Sequence, residues 1–264
     1  MKIELENMKN TRDLGGMTGD RGRRIKKGKL IRSGHLWGAS ENDIKTLFDY
    51  GVRHIVDFRT DQEVTDHPDP QIDGVKYNHW PALSNRRLGV TLEKGAEKEL
   101  AETMDYFLAT PGQARKDMID LYRIFIEEEA GINAYKNFLT MLSKEPQGAV
   151  LWHCSFGKDR AGTATMLILE TLGVSKEDII ADYLTTNDNI GERMDIYTEH
   201  ITSVRPHPKT AAVVRDLLCA DADYINNIYD IVQNKYGDMK GYITEVLGIT
   251  LTQQENIRNY FLED

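Results

Sequence analysis

The sequence predicts an α/β fold, a central and mostly parallel sheet flanked by helices. Three observations lead there. Ala149-Val150-Leu151-Trp152 is a short apolar run that enters a polar turn at residues 153–160, then an apolar stretch at helical spacing over 161–172, closed by Gly173. Such a pattern is a buried strand, a tight loop and a helix. Residues 52–58 form a second run of strand length, preceded by an amphipathic segment. That alternation builds parallel sheets. Beyond Gly173 the apolar residues keep returning at helical intervals, so a helical C-terminal part is expected.

Taken in order, residues 11–19 are rich in Gly and polar residues and read as a loop, in which Arg12 and Asp13 either pair with each other or line a site. Residues 23–32 read as a hairpin turning at Lys27-Gly28-Lys29. Arg32 and His35 follow it, either biasing a cleft positive or facing solvent. Ser40 with Asp43 three residues on opens a helix whose stripe is Ile44, Leu47 and Phe48, ended by Gly51. Residues 52–58 are then a parallel neighbour of the 149–152 strand, and 75–80 a further strand. Residues 83–116 carry Arg86, Arg87, a Gly95 break and an apolar face of Leu100, Met104, Phe107 and Leu108. They are expected to be a helical lid insertion over the cleft or, alternatively, an ordinary packed helical pair. Helices are expected at 131–143, from a cap at Ser175 to about 186–189, and at 193–201, 209–219, 223–235 and 253–262, the last opened by Thr252 and Glu255.

Composition bounds the function. A chain of 264 residues is expected to be a single domain, 1–264, large enough to need no staples. Cys154 and Cys219 are its two cysteines and make no disulfide framework. An unpaired thiol suits a reducing setting, and the first ten residues hold no apolar segment, so a cytoplasmic location is expected, with secretion if a leader has been removed. No apolar run reaches membrane-spanning length. A net charge of −9 argues against nucleic-acid binding. No group of residues has metal-ligand spacing, and no cofactor is expected.

The 153–160 turn carries the chemistry. Cys154 and Arg160 are separated by five residues that include Gly157. Backbone N–H groups running into a helix N-terminus form a positive concavity. Such a site can lower a cysteine pKa to roughly 3.5–7.5. The amides of Ser155, Phe156, Gly157, Lys158 and Ala161 can hold the oxygens of a phosphoryl group, and the Arg160 guanidinium can fork onto two of them. The reaction this supports is displacement of an alcohol or phenol by sulfur, then hydrolysis of the cysteinyl-phosphate to inorganic phosphate. Cys-x5-Arg alone is a weak signal, and the bland reading of Cys154 is a buried structural thiol. The strand before it and the Gly-containing polar turn after it weigh against that. Asp57, at the exit of the neighbouring strand, is either a site carboxylate or a structural partner. Lys158 is either a second cation at the site or a solvent-facing lysine.

His153-Cys154-Ser155-Phe156-Gly157-Lys158-Asp159-Arg160-Ala161-Gly162 resembles the signature of the protein tyrosine phosphatase superfamily, in the form of the bacterial and fungal tyrosine/serine phosphatase family. Similar segments are spread along the chain: residues 10–16, 31–34, 55–59, Asp182-Tyr183-Leu184 with Asn187-Asp188, and 236–248. The resemblance implies a phosphatase acting on phosphotyrosine, with phosphoserine, phosphothreonine and phosphoinositides as further substrates. It names Asp159 as the general acid. Many tyrosine phosphatases place that acid third in Trp-Pro-Asp, but here Trp80-Pro81 is followed by Ala82. Asp57 is the second candidate. A cationic Lys158 would favour substrates with several phosphates. Ala161 departs from the family, which usually has Ser or Thr there to help sulfur leave, so slow breakdown of the phosphoenzyme is expected. Competing readings are a phosphate-binding pseudoenzyme and another loop-thiolate enzyme, such as a sulfurtransferase or an arsenate reductase.

Overall fold

The structure, a computed structural model, describes residues 1–84 and 97–263. Its centre is a five-stranded sheet of β1 (Arg12–Asp13), β2 (Leu30–Ser33), β3 (Val52–Asp57), β4 (Lys76–His79) and β5 (Ala149–His153), in the order β1-β2-β5-β3-β4. β5 lies in the middle, parallel to β2 on one side and β3 on the other, and only β1 runs antiparallel. All five residues of β5 are buried. Its side chains alternate between two cores: Ala149 and Leu151 meet Ile31, Leu47, Val52 and Ile55, while Val150 and Trp152 join the larger cluster on the opposite face. A central parallel strand covered on both faces is apolar throughout, and that is why this run was legible.

One face is covered by α1 (Glu41–Asp49), held at its start by the Ser40–Asp43 capping box. α2 (Asp61–Asp66) is a short helix after β3, capped reciprocally by Thr60 and Glu63. α3 (Glu97–Ala109) lies within the 83–116 segment. α4 (Gln113–Glu127), α5 (Glu129–Leu142) and α6 (Arg160–Thr171) pack on the larger core. Trp152 anchors α6, its indole N–H meeting Ala161 O at 3.2 Å and Thr165 Oγ1 at 3.0 Å, with Phe138 of α5 5.2 Å away across the rings. The helical C-terminal part follows: α7 (Lys176–Leu184), α8 (Thr186–Val204), α9 (Thr210–Leu218), α10 (Ala222–Tyr236), a short α11 (Met239–Gly241) and α12 (Leu251–Phe261). No helix among the described residues is long and apolar enough to cross a membrane.

Four expectations are corrected. Residues 23–32 make no hairpin with each other: Arg24 bridges back to Thr18 and Ile25 to Leu262, while Leu30–Ser33 lies between β1 and β5, because its apolar residues are buried beside the central strand. α8 begins at Thr186, not near Arg193. The last capping box is Thr250 with Gln253. Arg12 and Asp13 do not pair with each other; Arg12 meets Asp182, and Asp13 accepts from Gly15 N, Gly28 N and Tyr50. Of the 83–116 segment, expected as a lid insertion, Arg86, Arg87, Gly95 and the Leu100 side chain lie outside the described residues. Met104 and Phe107 of α3 are buried, and α3 packs on α8 and α9, with Arg205 donating to Asp105 at 2.6 Å.

Candidate active site

Residues 154–159 leave β5 at the carboxyl end of the sheet and enter α6 at Arg160. Ligands of open α/β sheets bind at that end of the strands. Four successive carbonyls of this loop are turned outward onto the scaffold. Cys154 O lies 3.4 Å from His153 Nδ1, and Ser155 O accepts from His35 N at 3.3 Å. Phe156 O accepts from Asn10 Nδ2 at 3.0 Å and Gly157 O from Arg32 at 2.7 Å. In a trans peptide the N–H points opposite to the C=O. The amides of Ser155, Phe156, Gly157 and Lys158 therefore face the other way, toward the hollow of the loop. Gly157 is required there: its φ is +69°, and a Cβ would stand 2.4 Å from Ser33 O. Cys154 is buried at the base, and the Phe156 ring meets Tyr197 of α8 at 5.7 Å.

Arg160 is engaged by a residue that the sequence reading missed. Glu63 of α2 accepts from Arg160 Nη1 at 2.5 Å and from Nη2 at 2.9 Å, and the Ser155 hydroxyl donates to the same carboxylate. Burial alone would raise the Glu63 carboxyl, but the charge and hydrogen bonds of Arg160 hold it well below the usual range. Glu63 thus grips the end of the guanidinium. Nη2 also reaches Ser155 Oγ at 3.1 Å. The signal in the sequence was Thr60-x-x-Glu63, a capping box that marks a helix start.

Behind the loop lies a second cation. Arg32 is fully buried, donating to Gly157 O and to Asp182 at 2.6 Å, and Asp182 is shared with Arg12 at 2.7 Å. Burial first, then the charge of Arg12, pushes the Arg32 guanidinium down to about 10, so it stays charged at neutral pH. Two guanidiniums on one carboxylate leave a net positive charge under the loop.

Asp159, Lys158, Ala161 and Asp57 fall out differently. Asp159 sits where the loop enters α6, and its Oδ1 accepts from Tyr122 of α4 at 2.7 Å. Lys158 is neither a site cation nor a solvent-facing lysine. It is buried, donates to Leu217 O at 2.9 Å and Cys219 O at 3.3 Å, and lies 3.2 Å from Asp159 Oδ1. The last carbonyls of α9 lack helical partners, and an ammonium is a natural cap for them. Ala161 is the second residue of α6 and is fully buried; the nearby Thr163 hydroxyl is turned back to Asp159 O.

Asp57 is a structural carboxylate. It is fully buried, accepts from Arg59 N and side chain at 2.7–3.0 Å, and receives Tyr77 at 2.5 Å. Burial favours the acid form, but the charges of His153 and Arg59 hold it well below the carboxylate range. A carboxylate so committed has no proton to give. Asp57, Asp69 and His153 approach one another as metal ligands would, but Arg59 Nη2 lies 2.9 Å from Asp69 and 2.7 Å from Asp57. With His153 Nε2 2.9 Å from Asp69, the guanidinium and an imidazole ring already occupy the space between the two carboxylates.

His153 gives a pH prediction. Burial would lower its pKa, but Asp57 and Asp69 outweigh this and raise it above 6.5. A raised histidine contributes stability that is complete below about 6.5 and is lost as pH rises through the folded value. The thermal midpoint of the protein is therefore expected to fall as pH is taken from 6 upward through the folded pKa. His153→Gln should flatten that slope; an equal slope in the variant would remove His153 as its source.

The tyrosine phosphatase family profile matches residues 3–263. A Cupriavidus necator protein described as a tyrosine-protein phosphatase is 28% identical over 262 residues, covering 98% of this chain and 88% of the relative. The triple specificity protein phosphatase PtpB of Mycobacterium tuberculosis is 26% identical over 278 residues, covering 98% of both chains.

Proposed function

The chain belongs to the tyrosine phosphatase family and is a protein-tyrosine phosphatase, and on that premise we propose that Cys154 is its nucleophile, Arg160 its phosphate clamp and Asp159 its general acid. The observation that carries this assignment is the outward turn of four successive loop carbonyls, which aims their partner amides at the hollow above Cys154. In the first step the Cys154 thiolate attacks phosphorus, and the departing oxygen takes a proton from Asp159. The bond from phosphorus to that oxygen breaks as the S–P bond forms. Water, giving a proton to Asp159, then displaces sulfur and releases inorganic phosphate. The amides and Arg160 share the equatorial charge in both steps. A phosphate-binding protein without turnover finds no support in the family or the relatives.

Phosphotyrosyl protein is the proposed substrate, with phosphoserine, phosphothreonine and phosphoinositide monoesters as further ones, a breadth supported by the name of the M. tuberculosis relative. The 83–116 insertion is proposed to cover the cleft, since α3 packs on α8, whose Tyr197 meets the loop. Lys158, committed to α9, supplies no charge for a second phosphate.

Ala161 brings no hydroxyl to the departing sulfur, so phosphoenzyme breakdown is expected to limit turnover. With p-nitrophenyl phosphate in a stopped-flow experiment, a burst of about one equivalent of nitrophenol should precede a slower steady state. Ala161→Ser should raise kcat and shrink the burst. A trace linear from time zero in the unaltered protein would reject a slow second step.

A further inference from the structure

Asp159 is held in a way that a general acid requires. Its Oδ1 accepts the Tyr122 hydroxyl at 2.7 Å and lies 3.2 Å from Lys158 Nζ. A neutral carboxyl group has one oxygen that accepts and one that bears the proton. The Tyr122 hydrogen bond on Oδ1, with the Lys158 charge nearby, makes it the accepting oxygen. We infer that Tyr122 is a positioning residue, whose bond to Oδ1 assigns the transferable proton to Oδ2 and aims that oxygen at the leaving group. This rests on Asp159 being the acid.

Tyr122 is itself fixed. Its ring is fully buried, and its oxygen lies 2.6 Å from that of Tyr183. The single phenolic proton of Tyr122 goes to the carboxylate, so Tyr183 donates to Tyr122. Burial, and next the charge of Asp159, push the Tyr122 hydroxyl well above its ordinary value. It therefore remains a donor throughout the pH range in which the protein works. α4 carries Tyr122, and its first turn is tied down by Arg115, which donates to Asp221 at 2.7 Å. Lys158 is pinned by the end of α9, on which α3 packs. The carboxyl is thus set from two helices outside its own loop.

The test uses leaving-group dependence. Tyr122→Phe keeps the ring and removes one oxygen. Phenyl phosphate expels an alkoxide-like phenolate whose conjugate acid has a pKa of about 10, so it needs the proton; p-nitrophenyl phosphate does not. Because kcat/KM reports only the steps through phosphoenzyme formation, slow hydrolysis does not hide the effect. Tyr122→Phe should lower kcat/KM about tenfold with phenyl phosphate and less than about twofold with p-nitrophenyl phosphate. Asp159→Asn should show the same contrast, larger, and the double variant should be no worse than Asp159→Asn alone. If Asp159→Asn loses equally on both substrates, the acid assignment fails. If it shows the contrast and Tyr122→Phe does not, the acid stands and the positioning role is overturned. An equal loss on both substrates in Tyr122→Phe would assign the effect to packing and overturn the inference.

Discussion

Cys154→Ser is expected to abolish turnover of p-nitrophenyl phosphate, by a factor on the order of 10⁴ or more, while inorganic phosphate still binds. The exchange of sulfur for oxygen alters almost no volume at a buried position. The loop is shaped by contacts that do not involve the sulfur: His35 N on Ser155 O, Asn10 on Phe156 O and Arg32 on Gly157 O. The anion-binding amides should therefore persist. What is lost is the proposed nucleophile, since a serine hydroxyl without an adjacent base is not ionised by such a site. Steady-state kinetics and calorimetric titration with phosphate check the two halves. Retained turnover in the variant would remove Cys154 from the mechanism, and loss of phosphate binding would mean that the sulfur shapes the loop.

Arg160→Lys should cost about 10²–10³ in kcat/KM, although the charge is kept. Arg160 already makes two parallel bonds to Glu63 and a third to Ser155, so its plane is preset before substrate arrives. A lysine offers a point charge with no second edge. It cannot hold Glu63 with one side of a planar group and a phosphoryl oxygen with the other. The loss should appear for every phosphate monoester, whatever its leaving group, which separates it from the behaviour expected of Asp159→Asn. Thermal midpoints measured beside the kinetics show whether the Glu63 contact, rather than catalysis, was lost. A variant with near-normal kcat/KM would show that charge alone suffices at this position.

Much of the site lies within one continuous stretch, which is why it could be read from the residues. Strand, loop and helix over 149–172 are local in sequence, and the β5 run is apolar on both faces because both faces are covered. Gly157 was legible for the same local reason. Glu63 was not, because its partner stands 97 residues away and α2 is too short to show a periodic pattern. Arg32 and Asp182, 150 residues apart, carry no mutual signal either. Lys158 sits within the motif, yet the direction of its side chain depends on where α9 ends. Asp57 had two readings until Arg59, Tyr77 and His153 were brought onto it.

By itself the sequence determined the α/β class, the central strand and the clustering of a cysteine, an arginine and a carboxylate in one loop, since these depend on period, spacing and residue type along the chain. Tertiary structure alone decided which charges are spent and which remain available. It spent Asp57 and Lys158 within the fold and put Glu63 on Arg160 and Tyr122 on Asp159. The reason is physical: an ionised group's role depends on what lies within a few ångströms of it, and most of those neighbours arrive from distant parts of the chain.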